Sequence, residues 1–188
     1  MITIIPSSTF KKVPWKNGKG LTTELAINPG ASLSDFKWRL SIASVTEDGI
    51  FSDFSGYTRN LVLIEGESIH LTHDNNKTDK LTKHLDFSTF DGSCKTFGKL
   101  QRGGIKDFNI MTAKDSYKAE VSTYTSSVSL KINHQGLVFI YSLSNVITVT
   151  DNENSVYKIT QGDLLHLTDP IDLEINGQSL IVIALSAV

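Results

Sequence analysis

One alternating stretch, Phe36-Lys37-Trp38-Arg39-Leu40-Ser41-Ile42-Ala43, carries a large apolar side chain at every even position and a polar or small one at every odd position. Successive side chains of a β-strand point to opposite faces. The pattern therefore predicts a strand with one core face and one face that carries Arg39 and Ser41. The same two-residue period recurs along the chain, so we expect strands to dominate the structure.

Ten further segments have the length and apolar content of strands. They are residues 61–64, 68–72, 108–112, 119–125, 137–143, 146–150, 156–159, 164–167, 173–175 and 180–186. Short turn signals such as Glu65-Gly66 and Asn176-Gly177 separate them, and only residues 31–36 and 78–85 leave room for a helical turn. Many short strands at such spacing predict an all-β sandwich or barrel.

Two segments, residues 61–71 and 137–149, look like weak copies of one unit, because each reads as an apolar strand, a turn and a second strand. We therefore predict two jelly-roll repeats, approximately residues 1–115 and 116–188, fused in one compact chain. A single jelly roll with long excursions is the alternative.

The composition of the 188 residues is that of an ordinary globular protein, with a formal net charge of −2. Such a charge gives no field that would attract nucleic acid or an anionic membrane. A single cysteine, Cys94, excludes an internal disulfide framework. The first six residues lack the basic segment of a signal peptide, so a cytoplasmic location is expected.

The polar stretch from Trp15 to Glu24 combines an aromatic ring, an amide, two glycines and several hydroxyls. Glycine lets backbone N–H groups turn toward a guest. Asn17, Lys19 and Thr22 add donors, and Trp15 adds a flat wall, so the stretch suits a small polar or anionic ligand. The alternative is a tight hairpin turn, because an Asn-Gly pair is typical of such turns.

Two arginines are candidates for binding an anion. Arg39 lies on the polar face of its predicted strand, and Arg59 precedes the buried segment 61–64. A guanidinium recognises a carboxylate through two parallel hydrogen bonds and stays charged. Asp107 and Asn109 share one face of another predicted strand, and Asp107 is placed to orient an arginine. The alternative is a structural ion pair between Asp107 and either arginine.

Other site chemistries find little support. The five histidines do not have the spacing of metal ligands on a strand: His70, His73, His84, His134 and His166. His166 lies in an apolar segment, where a core or rim residue is expected. The chain has no phosphate-binding loop, no dinucleotide fingerprint and no nucleophile elbow. We expect neither a metal nor a cofactor.

The chain resembles the HutD/Ves family of bacterial proteins across residues 13–112. Five ordered blocks carry the resemblance: Trp15-Lys16-Asn17-Gly18-x-Gly20-x-Thr22-x-Glu24, Trp38-Arg39-x-Ser41-x-Ala43, Asp48-Gly49-x-Phe51-Ser52-x-Phe54-x-Gly56-x-x-Arg59, Phe90-Asp91-Gly92 and Gly104-x-x-Asp107-Phe108-Asn109-x-Met111. Lys19 replaces a glycine that is usual in the family.

The resemblance implies a cupin, that is, a double-stranded β-helix or RmlC-like jelly roll, with two cupin repeats. It implies the absence of the usual metal-binding histidines. It also implies binding of a small acidic metabolite such as formylglutamate, with a regulatory or accessory role in histidine utilisation or the stress response. No enzymatic activity is established for the family.

We therefore predict a metal-independent cupin that binds a small carboxylate without a cofactor. The predicted ligand-binding residues are Trp15, Asn17, Gly18, Lys19, Gly20, Thr22, Arg39, Ser41, Arg59, Asp107 and Asn109. In this hypothesis the two arginines bind the carboxylate, Asn17 and the loop N–H groups bind a second acceptor, and Trp15 packs on the carbon chain.

Three alternatives stay open. A metal-free cupin isomerase or epimerase would need a general base, for which Asp107, Glu24 and His70 are the candidates. A metal-dependent oxygenase and a protein-interaction module are the other two. A homodimer is also possible, for example through a sheet edge at residues 180–185.

Overall fold

The computed structural model describes residues 1–15, 20–74, 76–144, 146–168 and 171–188, which form nineteen strands and one short 3₁₀ helix at Ser7–Thr9. The strands are β1 (Ile2–Ile5), β2 (Lys11–Pro14), β3 (Gly20–Ile27), β4 (Trp38–Val45), β5 (Gly49–Ile50), β6 (Tyr57–Glu65), β7 (Ile69–His73), β8 (Lys77–Leu81), β9 (Phe87–Asp91), β10 (Thr96–Leu100), β11 (Ile105–Ala113), β12 (Tyr117–Tyr124), β13 (Val128–His134), β14 (Leu137–Ser142), β15 (Val146–Asp151), β16 (Val156–Thr160), β17 (Leu164–Thr168), β18 (Ile171–Gly177) and β19 (Leu180–Ala187).

The strands divide into two compact units. Unit A comprises Lys11–Tyr117 together with Val188, and unit B comprises Met1–Phe10 together with Lys118–Ala187. The N-terminal strand β1 thus belongs to the same unit as the C-terminal half of the chain, where it pairs with β17. The internal repeat at residues 1–115 and 116–188 stays a prediction.

Unit A contains a six-stranded sheet in the order β2-β3-β4-β11-β6-β9 and a four-stranded sheet in the order β5-β10-β7-β8. Neighbouring strands run antiparallel. Leu61 and Leu63 of the larger sheet pack with Ile69, Leu71 and other apolar side chains of the smaller sheet in one buried cluster. Two sheets packed face to face in this way form the jelly roll that the alternation predicts.

The apolar face of β4 is buried as predicted. Trp38, Leu40 and Ile42 are all in the core, and so are Phe108 and Ile110 of the neighbouring β11. The opposite face of both strands is therefore free to carry polar side chains, because the pleat alternates.

Two irregularities interrupt the larger sheet beside those polar positions. The register between β3 and β4 shifts between Glu24 and Ala26, and that between β11 and β6 shifts between Lys106 and Asp107. A bulge re-aims the side chain next to it and is common beside functional sites. Glu24 lies directly before the first shift, and Asp107 lies directly after the second.

Unit B repeats the pairing of a larger and a smaller sheet. A five-stranded sheet has the order β1-β17-β14-β19-β12, and a four-stranded sheet has the order β13-β18-β15-β16. Valine, isoleucine and leucine side chains from both sheets fill its core, among them Val138, Ile140, Ile147 and Leu165.

Three expectations on local structure are wrong. Residues 78–85 do not form a helical turn, because most of them belong to β8 or lie directly after it, and residues 31–36 hold only an isolated bridge between Ser32 and Asp35. The segment 180–185 is not a free sheet edge, because β19 lies between β14 and β12.

No helix among the described residues is long and apolar enough to cross a membrane.

Candidate ligand-binding site

The larger sheet of unit A gathers its polar side chains on one face. In the strand register, Glu24 of β3 lies opposite Ser41 of β4, which in turn lies opposite Asn109 of β11. Arg39 of β4 and Arg59 of β6 face the same residue of β11 from its two sides. Side chains opposite one another in an antiparallel pair approach closely. Residues from four strands thus meet on one surface, as their alternation predicts.

Arg39 is held by an acidic neighbour on the adjacent strand. Its Nε donates to Oε2 of Glu24 at 2.8 Å. Arg39 is buried, and Glu24 is only slightly more exposed. The structural ion pair considered for Arg39 therefore forms with Glu24 and not with Asp107.

Arg59 is enclosed by aromatic rings. Its guanidinium carbon lies 5.4 Å from the ring centres of Phe51 and Phe54 and 5.2 Å from that of Phe90. Cations are attracted to the negative face of such rings. The rings therefore hold the guanidinium in place without neutralising its charge.

Among the described residues, none of the hydrogen bonds of Arg59 is made to a carboxylate. Nη1 donates to the carbonyl oxygen of Ser52 at 3.3 Å, Nη2 donates to Oδ1 of Asn109 at 3.1 Å, and the buried Nε has no partner. Burial lowers the pKa of Arg59 to about 10; the charge of Asp107 opposes this shift and that of Arg39 adds to it. Arg59 therefore stays a cation at neutral pH.

Asp107 is a fully buried carboxyl group at the end of this network. Its Oδ1 accepts a hydrogen bond from Nδ2 of Asn109, whereas its Oδ2 is buried without a partner. Burial raises the pKa of Asp107 to about 7, against the opposing effects of Arg59 and of the Asn109 hydrogen bond. Asn109 thus bridges an arginine and a carboxyl group that is partly protonated at neutral pH.

The N-terminal stretch contributes Trp15, whose indole Nε1 donates to Oγ1 of Thr22 at 2.8 Å. Gly20 is needed for the position of the ring. A Cβ built on Gly20 would lie 2.8 Å from the ring of Trp15 and 2.5 Å from the carbonyl oxygen of Ser44. Gly20 therefore acts through close packing rather than through a left-handed backbone. The predicted site residues Asn17, Gly18 and Lys19 lie outside the described residues.

All of these polar side chains border one cavity of about 750 Å³ within unit A. Its lining comprises Lys11, Val13, Pro14, Trp15, Thr22, Glu24, Leu33, Arg39, Ser41, Ala43, Val45, Glu47, Asp48, Gly49, Ile50, Phe51, Ser52, Phe54, Arg59, Asp107, Asn109 and Met111. Of the predicted residues that the structure describes, Gly20 alone is not in the lining. The volume is in the range of small-molecule sites.

Sequence reasoning missed one side of this cavity. Residues 47–52 and Phe54 line it although they lack strand alternation, and so does Leu33 from the turn that precedes β4. Two aromatic residues close to an arginine were the available signal: Phe51 and Phe54 stand within eight positions of Arg59 in the sequence.

Among the described residues, no group of three or more His, Cys, Asp or Glu side chains is arranged to hold a metal ion. His73 is instead a buried residue, with Nδ1 at 2.9 Å from Oγ1 of Thr96 and Nε2 at 3.3 Å from Oδ2 of Asp79. His166 is half-buried and stacks on Phe139 at 4.4 Å.

The fold defines the class of protein. The chain has the fold of a cupin 2 conserved barrel domain protein from Leptotrichia buccalis, with a TM-score of 0.57 at 9% identity over 94% of this chain and 96% of that one. The protein therefore has a cupin-type all-β fold.

The family is narrower. The HutD family model matches residues 7–183, so the chain belongs to the HutD family. The structure of HutD from Pseudomonas fluorescens SBW25 in a formate condition is similar to this one over 100% of both chains, with a TM-score of 0.87 at 28% identity.

Two relatives extend the comparison. An uncharacterized 21.2 kDa protein in the hutC 3′ region of Pseudomonas putida is 29% identical over 96% of each chain. Protein Ves of Citrobacter koseri is 38% identical over 71% of each chain. The resemblance to the HutD/Ves family is thus confirmed, and it extends beyond residues 13–112 to nearly the whole chain.

Proposed function

We propose that this protein binds a small carboxylate metabolite in the cavity of unit A, without a metal, in a regulatory or accessory role in histidine utilisation or the stress response. Formylglutamate or a related acid is the proposed ligand. One observation carries the proposal: Arg39 and Arg59 line the same cavity on strands that flank β11, together with the neutral polar side chains of Ser41 and Asn109.

The charge of this wall favours an anion. Glu24 offsets the charge of Arg39, but Arg59 has no carboxylate directly bonded to it. Asp107, the nearest acidic partner of Arg59 in the network, is partly protonated at neutral pH. The charge of Arg59 therefore remains available on this wall of the cavity, where burial makes charge-assisted hydrogen bonds strong.

The wall is also held in place before a ligand arrives. The Glu24 carboxylate fixes Arg39, and the rings of Phe51, Phe54 and Phe90 enclose Arg59. Ordering these side chains costs little on binding, because their conformational freedom is already restricted. Histidine utilisation is proposed because the chain belongs to the HutD family and has a relative in the hutC 3′ region of Pseudomonas putida.

Calorimetric titration with formylglutamate, glutarate and formate tests this function. We expect Arg39→Ala and Arg59→Lys each to weaken binding tenfold to a hundredfold, because one buried charge-assisted hydrogen bond contributes about 1.5–3 kcal/mol. Arg102→Ala is the control: its side chain is 80% exposed and pairs with Glu67 at 3.5 Å. Failure of every acid to bind, or equal binding by the Arg39 and Arg102 variants, contradicts the proposal.

A metal-free isomerase or epimerase is a second candidate function, and Asp107 favours it. A carboxyl group with a pKa of about 7 can exchange a proton with a substrate near neutral pH. In such a reaction the Asp107 carboxylate takes the proton from the carbon next to the substrate carboxylate, and the resulting carboxylic acid returns it to that carbon after the planar intermediate has turned its opposite face toward Asp107. Binding ranks first because Asp107, although it borders the cavity, is fully buried.

Proton exchange separates the two candidates. If Asp107 is a base, the wild-type protein in D₂O replaces the α-hydrogen of a bound acid with deuterium, and NMR shows the signal disappear. Asp107→Asn should abolish this exchange and retain binding. An acid that binds but keeps its α-hydrogen for the duration of a long incubation leaves binding as the function.

A further inference from the structure

Three apolar side chains of unit A are exposed although they line the cavity. Val13 is 40% exposed, Leu33 is 59% exposed and Ile50 is 63% exposed. They come from three separate segments: β2, the turn before β4, and β5. A single exposed apolar residue is ordinary on a protein surface. Three that line one cavity together with two arginines point to a ligand that has an apolar part.

The cavity is also larger than a short acid requires. Pockets of about 300–1,000 Å³ hold drug-sized ligands, and this one measures about 750 Å³. A carboxylate bound at Arg39 and Arg59 would occupy one wall only. The remaining lining includes Val13, Leu33 and Ile50, which offer no hydrogen-bonding group from their side chains.

Acidic side chains near Ile50 restrict which groups of a ligand can bind on this side of the cavity. Glu47 and Asp48 stand immediately before β5 in the chain and belong to the same lining. A second anionic group of the ligand placed at this side would meet acidic side chains. A hydrocarbon group would instead be removed from water against the apolar ones.

We propose that the ligand of this cavity is an amphipathic acid: its carboxylate head lies at Arg39 and Arg59, and its hydrocarbon or aromatic tail packs on Val13, Leu33 and Ile50. The inference rests on the proposed carboxylate binding and adds the chemistry of the other half of the ligand. This protein should therefore bind acylated or aryl-substituted acids more tightly than the smallest acids.

A series with a constant head and a growing tail tests the proposal. The probes are N-formyl-, N-acetyl-, N-butyryl- and N-hexanoyl-glutamate, titrated by calorimetry against the full-length protein. Each buried methylene should strengthen binding about threefold to fourfold until the tail leaves the apolar surface. Formylglutamate should therefore bind measurably but more weakly than the hexanoyl compound.

Matched variants locate the tail. In Leu33→Ser and Ile50→Ser the gain in affinity per methylene across the series should fall toward zero. Val156→Ser is the control, because Val156 lies in unit B and is 59% exposed, the same fraction as Leu33. Leu33 and Ile50 are exposed, so these variants should fold, which thermal unfolding checks.

The outcomes separate this inference from the proposed function. If formylglutamate binds but longer tails give no gain, the amphipathic ligand is excluded and carboxylate binding stands. If the gain persists in Leu33→Ser and Ile50→Ser, the tail lies elsewhere and the inference is wrong. If no member of the series binds, both proposals are wrong.

Discussion

The core of unit B consists of valine, isoleucine and leucine side chains contributed by both of its sheets, whereas unit A carries Arg39, Arg59 and Asp107 on the inner face of its larger sheet. Both units pair a larger antiparallel sheet with a four-stranded one. The difference is that unit B holds an apolar core, whereas unit A holds an apolar core and also a cavity bordered by charged and amide groups.

This contrast shows that a pair of antiparallel sheets can enclose only an apolar core, as in unit B, or a cavity as well, as in unit A. Packed apolar side chains stabilise the folded state through burial and dispersion. Buried charges cost desolvation energy that their mutual attraction seldom exceeds. In the proposed function, the cost in stability at the site of unit A accompanies a surface that recognises an anion, as is common in binding sites.

The largest expected effect is in the core of unit B. Leu165→Ala should lower the free energy of unfolding by about 2–5 kcal/mol, because it removes buried methyl groups and leaves a cavity. Leu165 is fully buried in that core. Denaturant unfolding measures the loss. The ligand affinity of the folded variant should match that of wild type, because the proposed site lies in unit A. A large drop in affinity would contradict the expectation that the core of unit B serves stability alone.

The next effect is the pH dependence that Asp107 gives to unit A. An unfolded aspartate has a pKa of about 3.9, whereas burial raises that of Asp107 to about 7 in the folded protein. Between these values the folded state binds the extra proton. The stability contribution of Asp107 is therefore complete below about pH 4 and falls by up to about 1.4 kcal/mol per pH unit until pH 7.

Asp107→Asn isolates this contribution, because an amide does not titrate. The measurement is the free energy of unfolding of both proteins at pH 5, 6, 7 and 8. Wild type should lose stability relative to the variant as the pH rises from 5 to 7, and the difference should level off above pH 7. A constant difference over the whole range would mean that Asp107 is ionised throughout.

Much of the fold follows from the two-residue period. The strands at 38–45, 57–65, 105–113 and 137–142 were predicted within a few residues, because each is buried and therefore rich in apolar side chains. β8, with the sequence KTDKL, has one large apolar residue and was mistaken for a helical turn. Its pairing with β7 fixes it as a strand, and such pairing leaves no local signal.

The site follows from the sequence only in part. Alternation places Arg39 with Ser41 and Asp107 with Asn109, and the structure describes all four in the lining of one cavity. The ion pair of Arg39 with Glu24 could not be predicted in this way, because it depends on the register in which β3 pairs with β4, which the sequence does not mark. The aromatic enclosure of Arg59 likewise depends on how the irregular segment 51–56 folds back.

The smallest expected effect concerns Thr22, a predicted ligand-binding residue whose hydroxyl accepts the hydrogen bond of Trp15 at 2.8 Å. Thr22→Val keeps the shape of the side chain and removes the acceptor. We expect a loss of about 0.5–1.5 kcal/mol in the free energy of unfolding, the usual contribution of one hydrogen bond. Thr148→Val is the control in unit B, where the hydroxyl makes only a long, exposed bond of 3.4 Å to Asn176.

Ligand titration of the same two variants decides what Thr22 does. If Thr22 acts only by holding Trp15, affinity should fall by the same modest factor for acids with short and long tails, because the ring borders the cavity for both. If the hydroxyl contacts the ligand itself, the loss should depend on the head group and vanish for acids without a second acceptor. A Thr22→Val protein that binds and unfolds like wild type would show that the Thr22 hydroxyl contributes no more to affinity and stability than the exposed hydroxyl of Thr148 in unit B.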